Sequence, residues 1–250
     1  MLTLPRDLRR RRARERQRLF VAEGVRAVEE LIASPLSVQG LLVAPQLTDA
    51  PRGAALLDAA RRRGVDITSV DERAFASAAE TESPQGVLAI GEIPPRRLED
   101  IAIAARARLV VLDAVQDPGN VGTILRTAAA LGAAAVVGMP GTVDLWNAKV
   151  VRSAMGALFH SPAFMSTWAD LDTFRTEHGV ALWGADASGT PLEQLHAPDR
   201  LALLVGNEGA GLSEEGRARV EQSVSIPIDS ALESLNVAVA TGIILYQLRP

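Results

Sequence analysis

The chain alternates between short apolar runs and longer stretches in which apolar residues recur every three or four positions. Short apolar runs bounded by turn residues predict strands, and the longer spacing predicts helices. In the first ninety residues the pattern predicts helices over 21–32, 54–63 and 72–79 and strands over 38–43, 65–70 and 86–90. These elements together predict a small α/β domain.

The alternation becomes stronger after residue 107, where the predicted strands are almost wholly apolar. They cover 109–112, 134–138, 180–184, 201–205 and 224–228. The predicted helices cover 121–131, 147–158, 170–178, 213–221 and 233–247. Apolar strands separated by helices are typical of a parallel sheet covered on both faces, so we expect an α/β fold. Ligands of such sheets bind beyond the carboxyl ends of the strands. We therefore expect the functional site in the loops after residues 112, 205 and 228.

A break in the pattern separates the two halves. Gly91 and the pair Pro94-Pro95 interrupt regular structure. We therefore predict a first domain over 1–91, a linker over 92–106 and a second domain over 107–250.

Composition narrows the chemistry. With 250 residues, 48% hydrophobic and 22% charged, the chain has the composition of a folded protein with a core. It has no cysteine, which excludes disulfides, thiolate zinc sites and cysteine nucleophiles. The three histidines, His160, His178 and His196, are widely separated, so no histidine-built metal site is expected. No run of 18 apolar residues occurs and the start is polar, so we expect a soluble cytoplasmic protein.

The net charge of −4 conceals a basic beginning and an acidic body. Residues 1–18 hold eight arginines against Asp7 and Glu15, whereas residues 108–250 hold nine basic against fifteen acidic residues. Arginine binds phosphate with two parallel hydrogen bonds, so a basic arm favours contact with a polyanion such as RNA. The alternative is a solvated arginine-rich helix.

The first candidate loop, residues 113–132, reads DAVQDPGNVGTILRTAAALG. Its Asp-Pro-Gly-Asn segment is typical of a turn, and Asn120 is the predicted N-cap of the helix that Gly132 ends. Arg126 lies on this mostly apolar helix, where a guanidinium requires an anion or a carboxylate nearby. A structural ion pair is the alternative to a ligand contact.

The second candidate loop follows the strand 201–205 and contains three glycines, at positions 206, 209 and 211. Glycines let the backbone approach a ligand closely. Neither the GxGxxG spacing of a dinucleotide site nor the GK[ST] of a P-loop is present. Glu208 accepts hydrogen bonds from a ligand or holds an arginine, unless it is a plain turn residue. Ser213 is the predicted cap of the next helix.

The third candidate loop leads from Pro227-Ile228 into a long apolar helix that starts near Leu235. Ser234 and Asn236 lie around the first helical turn, where free N–H groups and side-chain amides hold polar ligand atoms. Simple capping by Ser234 is the alternative.

Taken together, the loops resemble the motifs of the SpoU/TrmH family of RNA 2′-O-ribose methyltransferases, in the SPOUT superfamily. The family pattern DPxNxGxIxRxAxxxG is matched in full over 117–132, and NEGxGLS is matched over 207–213. The pattern IPMxGxxxSLNVAVAxxIxLYE is matched at 226–227, 234–240 and 245–246.

Two departures from the third pattern stand out. Asp229-Ser230 occupy the place where a glycine is usual, and Gln247 stands where glutamate is common. The segments FVAEGVRAVEELI and TESPQGVLAI in the first domain resemble the substrate-binding domain of the same family.

The resemblance implies a particular fold and cofactor. Residues from about 200 to 250 would form the deep trefoil knot of the family, an exception to the rule that chains are unknotted. S-adenosylmethionine would bind there, against the backbone of Gly206, Ile226 and Leu235, and no metal would be required. The protein would be a homodimer in which Arg126 acts across the subunit interface.

The resemblance also implies roles for the polar residues. Asn120 would orient Arg126 or the ribose, Glu208 would hold this network, and Ser234 and Asn236 would position the nucleotide or the cofactor. A guanidinium has a pKa above about 12, so we favour electrostatic stabilisation by Arg126 over proton abstraction.

The acceptor implied by the resemblance is a ribose of structured RNA, and the extra first domain favours guanosine in 23S rRNA. Phosphate contacts are predicted from the basic arm and from arginines 61–63; the arm contributes Arg10, Arg11, Arg12 and Arg14. The alternatives are a tRNA methyltransferase, a non-catalytic RNA-binding module, and an oxidoreductase that binds a nucleotide cofactor at the glycines of 206–211.

Overall fold

The computed structural model describes residues 2–48, 51–229 and 234–249. The strands are β1 Leu19–Glu23, β2 Val38–Val43, β3 Ile67–Ser69, β4 Val87–Glu92, β5 Ala107–Leu112, β6 Ala135–Gly138, β7 Ala163–Met165, β8 Ala181–Pro191, β9 Arg200–Val205 and β10 Gln222–Ser225. The α-helices are α1 Thr3–Asp7, α2 Arg11–Gln17, α3 Val25–Ala33, α4 Pro45–Thr48, α5 Pro51–Arg62, α6 Glu72–Ala78, α7 Pro118–Ala130, α8 Ala148–Ser153, α9 Ala157–His160, α10 Trp168–His178, α11 Glu214–Arg217 and α12 Val237–Gln247.

The chain forms two compact units. The first unit consists of Met1–Pro95 and Trp146–His160, and the second of Arg96–Leu145 and Ser161–Pro250. Residues 146–160 thus group with the first unit, although they lie within the predicted domain 107–250. The predicted domain boundaries themselves stay a prediction.

The first unit is built on a four-stranded sheet in the order β1-β4-β2-β3. The pairs are antiparallel except β2 with β3. Buried Phe20 of β1 stacks on Phe159 with ring centroids 5.5 Å apart and contacts Trp146 at 4.5 Å. This aromatic cluster explains why residues 146–160 belong to this unit.

The predicted helix over 21–32 is wrong at its beginning. Residues 19–23 form strand β1, and helix α3 begins only after Gly24, whose φ of +96° ends the strand. The alternation of side chains in LFVAE was too short to separate from the helical spacing that follows it.

The second unit contains a six-stranded sheet in the order β10-β8-β9-β5-β6-β7, and every pairing in it is parallel. The α/β fold with a parallel sheet is therefore confirmed. Strand β5 lies inside the sheet and all six of its residues are buried. The linker prediction over 92–106 missed that Leu98 and Ile101 are buried in the core of this unit.

Other predicted elements also differ from the structure. Strand β7 was not predicted, the single helix expected over 147–158 is the pair α8 and α9, and the helix expected over 213–221 is the four-residue α11. The strand expected over 180–184 continues to Pro191, and the strand expected over 224–228 ends at Ser225. Within the described ranges, no helix is long and apolar enough to cross a membrane.

A buried arginine fixes the end of the last helix to the sheet. Arg108 of β5 is 4% exposed. Its Nε donates to the carbonyl of Leu248 at 2.5 Å, and its Nη1 donates to the carbonyls of Ala107 and Asp199 at 2.9 and 2.6 Å. Because α12 starts beside the candidate loops, this anchor helps to hold them against the sheet.

We predict that Arg108→Met lowers the free energy of unfolding by about 3 kcal/mol, because it leaves buried carbonyls without a charged donor. Urea denaturation measures this value. The matched control is Arg106→Gln, since Arg106 is exposed and lies 3.6 Å from Asp199; a surface pair of this kind contributes about 0–1 kcal/mol. Equal effects of the two substitutions would contradict the anchoring role.

Candidate active site

The first two candidate loops lie side by side because their strands are neighbours. Strands β5 and β9 are parallel and adjacent, with Leu112 paired to Val205 at their carboxyl ends. Beyond them, the Asn207 Nδ2 donates to the carbonyl of Ala114 at 3.0 Å. Buried Asp113 accepts the N–H of Ser213 at 2.7 Å. The loop after β9 is therefore tied to the loop after β5 at both of its ends.

A carboxylate in the second loop organises the first. Glu208 accepts the backbone N–H of Asp117 at 3.1 Å and the side-chain amide of Asn120 at 3.0 Å. The N–H of Gln116 lies 3.4 Å from its other oxygen. Glu208 therefore holds the start of α7 in place, which a plain turn residue does not do.

The third loop joins this network through Asn236. Its Nδ2 donates to the Asn120 Oδ1 at 3.0 Å, and its own Oδ1 accepts the N–H groups of Ala238 and Val239. Asn120 thus donates to Glu208 and accepts from Asn236, which fixes the orientation of its amide. Three residues predicted to share a site lie in one hydrogen-bonded chain, Glu208–Asn120–Asn236.

The chain requires Glu208 in its ionised form. Partial burial raises the pKa of this carboxyl, but the hydrogen bonds from Asn120 and from nearby backbone N–H groups outweigh it and hold the pKa below its ordinary value. Glu208 is therefore a carboxylate, and an acceptor only, at neutral pH.

The predicted cap Asn120 is wrong, and the alternative role of Ser234 as a cap is not found. Asp117 and not Asn120 caps α7, by accepting the N–H of Asn120 at 2.7 Å, because Pro118 takes the first helical position, where it needs no N–H. Asn236 and not Ser234 caps α12. The predicted cap Ser213 is confirmed, since it accepts the N–H of Gly216 at 3.0 Å. Asn120 and Ser234 are thus not used as caps.

A cavity of about 460 Å³ lies at this edge of the second unit. Small-molecule sites have volumes of about 300–1,000 Å³. Six residues predicted for the site lie in its wall: Gly206, Glu208, Ile226, Ser234, Leu235 and Asn236. Asn120 does not line the cavity, but it is hydrogen-bonded to Glu208 and Asn236, which do. Ser230 of the third motif lies outside the described residues.

Sequence reasoning missed one charged residue of the cavity. Asp186 of β8 lies in the wall between Ala185 and Ala187. The side chain and the backbone N–H of Ser188 donate to it at 2.6 and 2.8 Å, and these hydrogen bonds hold the pKa of Asp186 below its ordinary value. The Asp-x-Ser spacing, typical of a side chain bonded two residues on, was the available signal.

Arg126 is apart from this network. It is exposed on α7, does not line the cavity, and makes neither an ion pair nor a hydrogen bond with the part of the chain that the structure describes. It lies six residues beyond Asn120, which at 3.6 residues per turn places the two side chains on different faces of the helix. The structural ion pair considered as an alternative is therefore not found among the described residues.

The arginines proposed for RNA contact differ in their surroundings. Arg10 pairs with Asp7, Arg11 pairs with Glu15 at 2.7 Å, and Arg12 is exposed. Arg14 is 4% exposed and donates to the carbonyls of Leu8 and Arg9, so its placement supports the fold of the arm and not contact with RNA. The contacts of this arm with RNA stay a prediction.

The chain resembles known methyltransferases over nearly its whole length. Residues 107–246 match the SpoU rRNA Methylase family, and residues 5–89 match the MRM3-like substrate binding domain. The 23S rRNA (guanosine(2553)-2′-O)-methyltransferase RlmP of Bacillus subtilis is 36% identical over 97% of this chain and 93% of its own. A 23S rRNA (adenosine(1067)-2′-O)-methyltransferase of Streptomyces azureus is 33% identical over 79% of this chain and 74% of its own.

Solved structures agree with this resemblance. The SpoU methyltransferase AviRb of Streptomyces viridochromogenes, in complex with the cofactor AdoMet, superposes with a TM-score of 0.89 at 29% identity, over 99% of this chain and 96% of that one. The α/β fold with its parallel sheet is therefore that of the SPOUT methyltransferases. The chain belongs to the SpoU rRNA methylase family. The predictions of methyltransferase activity and of S-adenosylmethionine as cofactor are confirmed at this level.

Gly206 offers a direct test of the cavity. A Cβ at this position would collide with the backbone of Gly211 and lie 2.5 Å from the Leu212 nitrogen. We predict that Gly206→Ala weakens binding of S-adenosylhomocysteine at least about tenfold, or about 1.4 kcal/mol, measured by titration calorimetry.

Glu177→Gln on α10 is the control, because Glu177 is exposed and does not line the cavity. We expect this variant to bind within about twofold of the unchanged protein. Unchanged affinity in Gly206→Ala, with the fold retained, would show that the cofactor binds elsewhere.

Proposed function

We propose that this protein transfers a methyl group from S-adenosylmethionine to a ribose 2′-hydroxyl of 23S rRNA. The observation that carries the proposal is the junction of the cavity with the Glu208–Asn120–Asn236 chain, which links all three motif loops. The cofactor supplies an electrophilic methyl group on a sulfonium, and no metal is needed. In the described residues, no group of three or more histidine, aspartate or glutamate side chains is arranged to hold one.

The cavity suits this cofactor chemically. Val205, Leu212 and Ile244 give it apolar walls for an adenine ring, and glycines let the backbone approach closely. The Asp186 carboxylate supplies negative charge for a ligand that carries a sulfonium and an ammonium. Backbone at Gly206, Ile226 and Leu235 forms the contacts that we assign to the cofactor. The trefoil knot over 200–250 stays a prediction.

The protein's task in such a reaction is positioning, because the acceptor oxygen must lie in line with the methyl group and release its proton to solvent. We assign Ser234 and Asn236, at the first turn of α12, to the nucleotide or the cofactor. Glu208 fixes Asn120, and Asn120 fixes Asn236. Arg126 holds the phosphate next to the target ribose and stabilises the developing alkoxide, since a guanidinium pKa above about 12 makes it a poor base.

Arg126 reaches this site from a second subunit in our proposal. Helix α12 exposes Val239, Ile243 and Tyr246 at 52%, 43% and 55%. Their spacing of four and three residues places them on one stripe of the helix, and exposed apolar patches mark interaction surfaces. Helices α7 and α12 pack closely, since a Cβ at Gly242 would lie 3.3 Å from Thr127. A homodimer through this stripe would bring Arg126 towards the partner's cavity.

The identity of the RNA rests on the relatives. The 23S rRNA enzymes described above span nearly the same length as this chain, which favours 23S rRNA over tRNA. Their targets are a guanosine and an adenosine, and we favour guanosine because the more similar relative modifies it. The cytoplasmic location expected from the sequence stays a prediction.

The activity is tested with methyl-labelled S-adenosylmethionine and separate unmodified 23S rRNA, 16S rRNA and tRNA. We predict label in 23S rRNA at one position that becomes resistant to alkali, and a loss of at least about a hundredfold in rate in Arg126→Ala. S-adenosylhomocysteine affinity stays unchanged in this variant, because Arg126 does not line the cavity. Label in tRNA alone supports the tRNA alternative, and no label with intact cofactor binding supports the non-catalytic one.

Mixing Arg126→Ala with Gly206→Ala, at a cofactor concentration so low that Gly206→Ala binds little of it, tests whether Arg126 acts across subunits. A heterodimer of Arg126→Ala with Gly206→Ala has one site with both an intact cavity and an arginine from its partner. Random reassociation of the subunits should then restore about a quarter of the original activity. If Arg126 acts within its own subunit, the mixture stays as inactive as its components.

A further inference from the structure

The first unit contains a second cavity, of about 390 Å³, whose wall residues all belong to that unit. The wall is formed by residues 23–27, where β1 passes into α3, and by Arg52, Gln85, Arg152 and Met155. None of these residues belongs to the site described above. Three of them are arginines.

Arg152 of α8 contributes a buried cationic group to this wall. Its Nη1 is fully buried and has no hydrogen-bond partner in the described part of the chain. A buried, charged donor without an acceptor is costly, so such a group indicates a ligand that supplies the acceptor.

The beginning of α3 adds further donors to the same wall. This nine-residue helix follows its N-cap Gly24, which has no side chain to accept a hydrogen bond, and no acceptor among the described residues meets the N–H groups of Arg26 and Ala27. The N–H of Val25 is taken by the Gln85 Oε1 at 2.9 Å, which leaves the NH₂ group of Gln85 as a donor. Free N–H groups at a helix start favour anions.

The charges of the wall also favour an anionic ligand. Its one carboxylate, Glu23, is buried and already accepts the N–H groups of Glu80 and Thr81, at 2.8 and 3.3 Å, and the Thr81 hydroxyl. Arg52 shares its charge with Glu29 at 3.1 Å. Arg26 is exposed and has no such partner in the described ranges. The cavity is therefore rich in donors and positive, and its carboxylate is occupied.

We propose that this cavity binds a backbone phosphate of the RNA that the protein methylates. The inference rests on the proposed function, because it takes the RNA substrate as the source of the anion. A phosphodiester supplies the acceptor oxygens that Arg152, Arg26 and the start of α3 lack. The cavity is larger than a phosphate requires, and Met155, 41% exposed at its wall, offers apolar surface to the attached nucleoside.

The test is the affinity of the full-length protein for unmodified 23S rRNA at several KCl concentrations. Each lost phosphate contact reduces the slope of log Kobs against log[KCl] by about 0.7–1. We expect that reduction in Arg26→Gln and in Arg152→Met, while Arg152→Lys retains most of the slope.

The matched control is Arg73→Gln, which removes an exposed arginine of the same unit that makes no ion pair in the described part of the chain. Its slope should equal that of the unchanged protein. S-adenosylhomocysteine affinity and thermal unfolding show whether each variant is folded. If Arg152→Met fails to fold, exposed Arg26→Gln carries the test alone.

The outcomes separate this proposal from the proposed function. Methylation of 23S rRNA with unchanged slopes in Arg26→Gln and Arg152→Met overturns the phosphate site alone. Reduced slopes in these two variants, together with no methylation by the unchanged protein, support the phosphate site and contradict the proposed function. If the unchanged protein does not bind 23S rRNA, both are overturned.

Discussion

The candidate site depends on one carboxylate that holds two loops from neighbouring strands together. Glu208 accepts from the backbone of 116–117 and from Asn120, and Asn120 in turn accepts from Asn236, which caps the last helix. Three segments that lie far apart in the sequence are therefore linked by one row of hydrogen bonds. Such an arrangement sets the positions of polar groups before any ligand binds, which is the condition for catalysis by positioning.

The sheet makes this arrangement possible. Because β5 and β9 are parallel neighbours, the loops that follow them leave the same edge of the sheet. Two buried charged residues of this region, Asp113 and Arg108, hold the loop after β9 and the end of α12. Asp113 ties the loop after β9 to the end of β5. Arg108 holds the far end of α12, so the helix that carries Asn236 is fixed at both ends. The site is thus supported by buried polar contacts as well as by apolar packing.

The sequence allowed the parallel sheet and the three loops to be predicted, because near-continuous apolar strands leave little alternative to a sheet buried on both faces. The resemblance to the family implied that Gly206, Ile226 and Leu235 share a site, and all three lie in the cavity wall. The caps at Asp117 and Asn236 were missed, since several polar residues in each loop are chemically suited to capping. Asp186 was missed because the predicted strand ended at residue 184, whereas β8 continues to Pro191. The grouping of 146–160 with the first unit depends on contacts of Phe20 with Trp146 and Phe159, which are distant in sequence.

The most direct test of the central claim is the S-adenosylhomocysteine affinity of Glu208→Gln at pH 7. We predict binding about tenfold weaker, because the amide turns a donor towards N–H groups that need an acceptor. Exposed Glu177→Gln on α10 is the control and should bind normally. The pKa of Glu208 is lowered in the folded protein. The carboxylate therefore stabilises the folded loops above the ordinary carboxyl pKa of about 4.3, and this stabilisation is lost as pH falls through the lowered value. Equal affinities of Glu208→Gln and the unchanged protein at pH 7 would contradict the account.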